Sequence, residues 1–146
     1  MPSSSTPTVR FHFLSEILLR DRSQLKSFIP SIFKKEKKQL KEIQFIFCSD
    51  DYLLDINKKY LDHDYYTDII TFDLSEPGQQ ITAEIYISVD RVRDNARSFG
   101  TSLKKELHRV IFHGALHLCG YRDKKQQEEK LMRKMEDQYL GLYFTK

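Results

Sequence analysis

Two histidines and an aspartate in the last third of the chain have the residue types and the spacing of a metal site. His113 and His117 are four residues apart, so on a helix they occupy one face, one turn apart. Gly120 is typical of the left-handed position that ends a helix, and Asp123 follows it on the returning loop. Two imidazoles and a carboxylate can hold one divalent cation and leave a coordination position open for water, as catalytic sites do. The spacing therefore indicates a metal site formed by His113, His117 and Asp123.

The same residues also have a purely structural interpretation. A pair of histidines four residues apart is a weak signal alone, and Asp123 with Gln126 three residues later has the pattern of a helix N-cap. Zinc proteases carry a glutamate, their general base, directly after the first histidine, whereas this chain has Gly114 there. The pattern argues against a peptidase and leaves ligation and capping open for Asp123.

Hydrophobic periodicity predicts the elements that position these residues. Alternating apolar residues predict strands around 9–13, 43–47, 70–74 and 81–89. Helical spacing predicts helices at about 21–38 with a kink or break at Pro30, 50–60 capped by Asp50, 88–99 closed by Gly100, 101–118, and a last one marked by Leu131, Met135 and Tyr139. The long connection between the first two strands favours parallel pairing, and the short turn at Pro77-Gly78 favours an antiparallel hairpin. The sum is an α+β domain with a mixed sheet of about four strands, closed by three helices in the last third.

Three blocks of the sequence resemble the motifs of one protein family. His-Gly-x-Leu-His-Leu-x-Gly-Tyr at 113–121 resembles the signature of the YbeY family, the metal-dependent endoribonucleases of bacterial rRNA maturation. Residues 63–72, which include Thr67-Asp68, resemble its Thr-Asp-x-x-Ser-Phe segment, and 83–88 resemble its Gly-Asp-Ile-x-Ile-Ser strand. The resemblance covers roughly residues 40–140. It implies the same α+β layout and a single-strand-specific endoribonuclease that serves rRNA maturation and ribosome quality control.

The chain departs from the family pattern at two places. Where the family has Tyr-Asp-His, this sequence has Tyr121-Arg122-Asp123, so an aspartate takes the place of the third metal histidine. A carboxylate is a competent zinc ligand but a harder donor, and Zn²⁺ remains the expected metal, one ion per chain. The family arginine that follows a tyrosine is Leu61 here, so no role of that arginine can be transferred.

Three further residues are candidates for contact with substrate. Arg109, one turn before His113, could clamp a phosphate, or it could be a solvated helix arginine. Thr67 and Asp68 match the family's Thr-Asp pair and could line the cleft, or Asp68 could only stabilise a loop. The basic residues before the histidine helix could follow an RNA backbone or simply form surface: Arg91, Arg93, Arg97, Lys104 and Lys105.

Two other functions fit the same residues. A ribosome- or RNA-binding protein could use the metal only to stabilise its C-terminal helices, and sequence does not separate that protein from an enzyme. An iron oxygenase also uses two histidines and one carboxylate, but the placement of both histidines on one helix of an α+β domain disfavours it. Loss of activity on chelation with the fold intact would favour the enzyme, and unfolding on chelation would favour the RNA-binding protein. Oxygen-dependent turnover would identify the oxygenase.

Composition narrows the class and the compartment. A length of 146 residues predicts one domain, 1–146, with 1–7 as a flexible leader, and the net charge of +3 does not by itself indicate a nucleic-acid binder. Cys48 and Cys119 are too few for a disulfide framework, which favours reduced thiols and a cytoplasmic protein. No apolar run is long enough for a membrane helix. The expected partner is RNA, an rRNA precursor, and the family further suggests the ribosomal small subunit.

Overall fold

The fold is that of a computed structural model, which describes residues 6–63 and 66–145. Its elements, in chain order, are β1 (Thr8–Phe13), α1 (Arg22–Lys35), β2 (Leu40–Cys48), α2 (Asp50–Leu61), β3 (Ile69–Asp73), β4 (Ile81–Ser88), α3 (Val89–Phe99), α4 (Leu103–Leu118) and α5 (Gln126–Phe144). The sheet order is β1-β2-β4-β3, with β1 and β4 parallel to β2 and β3 antiparallel to β4. The predicted α+β class, mixed four-stranded sheet and hairpin are confirmed.

The larger core lies on one face of the sheet. Alternate residues of β2 and β4, among them Phe45 and Ile85, are fully buried there against α1, α4 and α5. A smaller cluster of Cys48, Leu53 and Ile70 lies on the other face, under α2. This arrangement leaves α4 packed over the sheet, beside the edge strand β3.

Several boundaries differ from the sequence prediction. Ser49 rather than Asp50 caps α2, because its hydroxyl accepts a hydrogen bond from the Tyr52 N–H. α1 runs through Pro30 as one helix rather than two. Phe99, the last apolar residue of the predicted helix 88–99, is 59% exposed and does not contribute to the core. Residues 1–5 of the predicted leader lie outside the described residues. Residues 64 and 65, between α2 and β3, also lie outside them.

Gly114 allows α4 to approach the sheet closely. A β-carbon at this position would lie 2.8 Å from Ile85 Cδ1 and 3.0 Å from Ile69 Cδ1. The glycine that excluded the protease pattern therefore has a packing reason, and it sets the distance of the two histidines from β3.

We expect Gly114→Ala to destabilise the protein by ~1–2 kcal/mol, because overpacking of about 1–3 kcal/mol exceeds the gain of about 1 kcal/mol in helix propensity. Gly141→Ala is the matched control, since Gly141 lies in α5 and a β-carbon added there would enter open space among the described residues. That variant should be equally or more stable than wild type in urea unfolding. Equal stability of the two variants would contradict the close approach.

Candidate metal centre

The C-terminal end of α4 reverses the chain toward its own histidines. The N–H groups of Gly120 and Tyr121 donate to the carbonyl oxygens of His117 and Leu116 at 3.0 and 3.1 Å. These two bonds form a Schellman motif, and Gly120 has the positive φ of 107° expected at that position. The predicted glycine stop is confirmed, and the turn directs the following loop back along the helix.

Three donor atoms converge beside this turn. Asp123 Oδ2 lies 3.2 Å from His113 Nε2 and 3.3 Å from His117 Nε2. Among the residues that the structure describes, this is the one group of three or more His, Cys, Asp or Glu side chains that could hold a metal ion. The alternative interpretation of Asp123 as a helix cap is wrong, because α5 is capped at Lys125, whose N–H donates to Glu128 Oε1 at 2.9 Å.

Hydrogen bonds on the far side of each ring determine which nitrogen faces the group. His113 Nδ1 lies 2.6 Å from Glu136 Oε2, and His117 Nδ1 lies 2.9 Å from the carbonyl oxygen of Tyr121. A carbonyl or carboxylate oxygen accepts, so both Nδ1 atoms donate, and a ring in its neutral form then directs the lone pair of Nε2 at Asp123. When both rings are neutral, as metal binding requires, two nitrogen lone pairs and a carboxylate oxygen meet with no hydrogen between them, an arrangement that a cation stabilises.

The donor set fits a tetrahedral metal ion. Bonds of about 2.0–2.1 Å at tetrahedral angles place neighbouring ligand atoms roughly 3.3 Å apart, close to the two observed separations of 3.2 and 3.3 Å. Three protein ligands leave a fourth position for water or substrate. His113, His117 and Asp123 can therefore hold one divalent ion with an open position.

Glu36 supports the loop from the other side. Its two carboxylate oxygens accept hydrogen bonds from Tyr121 and Tyr139, at 2.8 and 2.5 Å. Burial and the bond to Glu36 raise the pKa of Tyr121 to about 12, so the phenol stays a donor. Because the carbonyl of Tyr121 holds His117, this contact between α1 and the loop also fixes the second histidine.

The surrounding charges alter the protonation of His113. Burial alone would lower its pKa, but the hydrogen bond to Glu136 and the negative charges of Glu136, Asp123 and Asp68 outweigh burial, and the pKa is raised. A proton and a metal ion therefore compete for the same nitrogen.

A cleft of about 650 Å³ opens beside the three donors. His113, His117 and Asp123 line it together with α2, β3 and the segment before β3, including Thr67 and Asp68. Burial raises the pKa of Asp68, and the positive charge of His113 offsets the rise only in part. The sequence-predicted Thr-Asp pair thus shares one cavity with the candidate ligands. His63 also lines the cleft but is not part of the ligand group.

Arg109 lies elsewhere. Its side chain is 13% exposed, and its guanidinium is paired with Glu136 and Asp137 at 3.0 and 2.8 Å. It does not line the cleft. A phosphate contact would require breaking both ion pairs, so the arrangement speaks against the predicted phosphate clamp.

Several members of the predicted RNA track are engaged within the protein. Arg91 pairs with Asp50 at 3.1 Å, Arg93 donates to the carbonyl of Glu16 at 2.8 Å, and Arg97 pairs with Asp94 at 3.3 Å. The interpretation of these charges as ordinary surface is the better supported one. Cys119, which could be mistaken for a ligand, is buried, and burial raises its pKa to about 12, as expected of an inert thiol.

Glu106 is a buried glutamate whose contribution to stability should depend on pH. It is 3% exposed, Oε1 has no hydrogen-bond partner among the described residues, and Arg109 Nε lies 3.9 Å away. Burial raises its pKa above the ordinary 4.5, with Arg109 opposing. A raised folded-state pKa means that stability is lost as the pH rises from about 4.5 through the folded-state value.

We therefore expect Glu106→Gln to become progressively more stable than wild type as the pH rises from 4 to 7, because glutamine carries no charge to desolvate. Urea unfolding of metal-free protein at several pH values measures the difference. Glu76→Gln, in an exposed loop, is the control and should show no such trend. A constant difference for Glu106→Gln across this range would contradict the raised pKa.

The structure adds two site residues that the sequence interpretation did not identify. Glu136 contacts both His113 and Arg109, and Glu36 binds two tyrosines around the loop. The signal for Glu136 is its place on the buried stripe of α5, which is formed by Met132, Glu136, Tyr139, Leu140 and Tyr143. A charged residue on such a stripe is almost always paired.

Fold and site together define an α+β protein with a candidate three-ligand metal centre open to a cleft. A profile of the family described as endoribonuclease YbeY matches residues 15–143. Curated relatives named endoribonuclease YbeY include one from Cytophaga hutchinsonii, 52% identical over 85% of this chain and 87% of the relative. Another, from Flavobacterium psychrophilum, is 44% identical over 94% of this chain and 98% of the relative.

A solution structure of a Thermotoga maritima protein is similar, with a TM-score of 0.59 and 26% identity over 94% of this chain and 89% of the other. The chain belongs to the endoribonuclease YbeY family. The resemblance seen in the three sequence motifs is therefore confirmed. In the described part of the chain, no helix combines the length and apolar character that a membrane span requires.

Proposed function

We propose that the protein is a metal-dependent endoribonuclease whose single domain, 1–146, cleaves single-stranded RNA at the cleft beside α4. The observation that carries the proposal is the convergence of His113 Nε2, His117 Nε2 and Asp123 Oδ2 on one open position, in a member of an endoribonuclease family. A bound divalent ion, with Zn²⁺ as the expected one, lowers the pKa of water to near 7 and polarises a phosphoryl oxygen.

The protein side chains hold the ion and orient its ligands. The two histidines present Nε2 because their Nδ1 atoms donate to fixed acceptors, and Asp123 adds one negative charge. With two neutral rings and a single carboxylate as ligands, a divalent ion would keep one net positive charge while water is bound to it, and that charge would attract the RNA phosphate. Lys124, also at the cleft, adds a positive charge to the same wall.

Asp68 is our candidate for proton transfer, with Thr67 beside it as a polar contact for substrate. Asp68 lines the cleft, and in the metal-free protein burial raises its pKa, which allows it to hold a proton closer to neutral pH than an exposed aspartate does. Such a carboxyl group can donate a proton to the oxygen that leaves when the phosphodiester bond breaks. We assign Arg109 no contact with substrate.

Membership of the endoribonuclease YbeY family supports a finer proposal for the substrate. We propose an rRNA precursor as the RNA, maturation and quality control of ribosomes as the process, and the ribosomal small subunit as a partner. The cytoplasm is the compartment consistent with this substrate and with two buried free thiols.

The test is cleavage of a labelled single-stranded RNA by purified protein, before and after chelation and with Zn²⁺ restored. We expect chelation to abolish cleavage with circular dichroism unchanged, and Zn²⁺ to restore it. Unfolding on chelation with no cleavage at any stage would favour the structural-metal alternative. Cleavage that persists without metal would contradict the proposal.

A further inference from the structure

We infer that Glu136 is a positioning residue of the metal site, which fixes the ring of His113 and is itself held by Arg109. The inference rests on the proposed function, because it concerns how the same site holds its ion.

Glu136 satisfies both oxygens of a buried carboxylate with two different partners. The residue is 5% exposed on α5; Oε2 accepts from His113 Nδ1 at 2.6 Å, and Oε1 accepts from Arg109 Nη1 at 3.0 Å. Arg109 in turn donates to Asp137 at 2.8 Å. A buried carboxylate is costly unless it is paired and hydrogen-bonded, and this one has a cation on one side and an imidazole on the other.

The bond to His113 determines what the ring can do in the cleft. While the carboxylate is ionised it can only accept, so Nδ1 carries the hydrogen and Nε2 keeps its lone pair for Asp123 and a metal. A carboxylate behind a metal-binding histidine also fixes the ring orientation and increases the basicity of the ligand. The acceptor behind His117 is a backbone carbonyl, which a substitution cannot remove. Glu136 is therefore the residue whose substitution tests how the hydrogen bond behind a ring supports metal binding.

A purely structural role makes a different prediction. Glu136 and Arg109 also join α5 to α4, and an ion pair with only that role would affect stability and leave metal affinity unchanged. Glu106→Gln is the matched control, because Glu106 is a buried glutamate on α4, near Arg109, that neither contacts a histidine nor lines the cleft.

In Glu136→Gln, one oxygen becomes an NH₂ donor. If the amide nitrogen faces His113, the ring must move its hydrogen to Nε2 and loses the lone pair that binds metal. If it faces Arg109, two donors oppose each other and the side chain is displaced. Either outcome weakens metal binding while the shape of the side chain is conserved.

The experiment measures the Zn²⁺ dissociation constant of full-length protein by competition with a chromophoric chelator, with the Co²⁺ absorption spectrum as a second readout. We expect Glu136→Gln to bind Zn²⁺ about 10–100-fold more weakly and Glu106→Gln to stay within about threefold of wild type. Melting of the metal-free proteins checks the fold. Glu136→Gln with affinity within about threefold of wild type would overturn the inference.

A measurement on wild type covers the case in which the variant does not fold. Nitrogen-15 NMR of the zinc-loaded protein should show the hydrogen of His113 on Nδ1 and the metal on Nε2, and the reverse would overturn the inference. If wild type binds Zn²⁺ and Glu136→Gln binds it with unchanged affinity, only this inference is contradicted. Wild type that binds no Zn²⁺ contradicts both the inference and the proposed function.

Discussion

Replacement of His117 by alanine is expected to abolish metal binding and RNA cleavage while the protein remains folded. His117 contributes one of three donor atoms, and loss of a direct ligand should weaken the site by more than the ~10–100-fold typical of residues behind the ligands. Its side chain lines the cleft and is 27% exposed, so truncation widens the open cleft rather than leaving an enclosed cavity in the core. Cleavage should fall to background because no other donor among the described residues completes the group.

The variant should be compared with wild type by elemental analysis, single-stranded RNA cleavage and circular dichroism. His12→Ala is the control, because His12 is exposed on β1 and bonds to Gln44 at 2.8 Å. It should keep metal and activity. If purified His117→Ala retains one metal per chain, the ligand assignment is wrong.

Asp123→Ala has the second large expected effect, and Asp123→His should reverse it. Alanine leaves two imidazoles and should weaken Zn²⁺ binding by at least ~100-fold, together with cleavage. Histidine restores a third donor of the type that the family pattern has, so binding should be retained or tightened. Stability without metal should change little, because Lys125 and not Asp123 caps α5.

Arg122→Ala, an exposed neighbour in the same loop, provides the comparison for general disturbance of the loop. It should retain affinity and activity. Asp123→Ala with wild-type affinity for Zn²⁺ would exclude this carboxylate as a ligand. A large fall in the melting temperature of metal-free Asp123→Ala would instead mean that its main role is structural.

The strands and the histidine helix were predictable because their signals are local. Alternation over β4 and the period of α4 each follow from residues that are neighbours in the chain, and Gly120 needs only its own backbone preference. Convergence of Asp123 on the histidines was one of two interpretations that the sequence left open, and the Schellman turn that joins them accounts for it in the structure.

The contacts of Glu136 with His113 and Arg109 depend on which face of α5 points inward, and the sequence left that face ambiguous. Of the three residues that marked this helix in the sequence, Tyr139 is buried and Met135 packs against the core, but Leu131 is 47% exposed. Met132 and Glu136 are buried as well, and because the sequence did not place Glu136 on the buried stripe, its pairing with His113 could not be anticipated. The ion pairs of Arg109 could not be anticipated for the same reason, because its two partners lie on α5.

The contacts of Glu36 could not be predicted because its partners lie far away in the sequence. It follows the basic end of α1, and nothing near it in sequence indicates that Tyr121 and Tyr139 donate to its two oxygens. Contacts between residues 85 and 103 positions apart arise from the packing of three elements and not from a local pattern.

The most direct test of the site is a crystal structure of the zinc-loaded protein with an anomalous difference map at the zinc edge. One peak should lie about 2.0–2.2 Å from Nε2 of His113, Nε2 of His117 and a carboxylate oxygen of Asp123, with an open side toward the cleft. A peak coordinated by other residues, or through the Nδ1 atoms, would contradict the site described above.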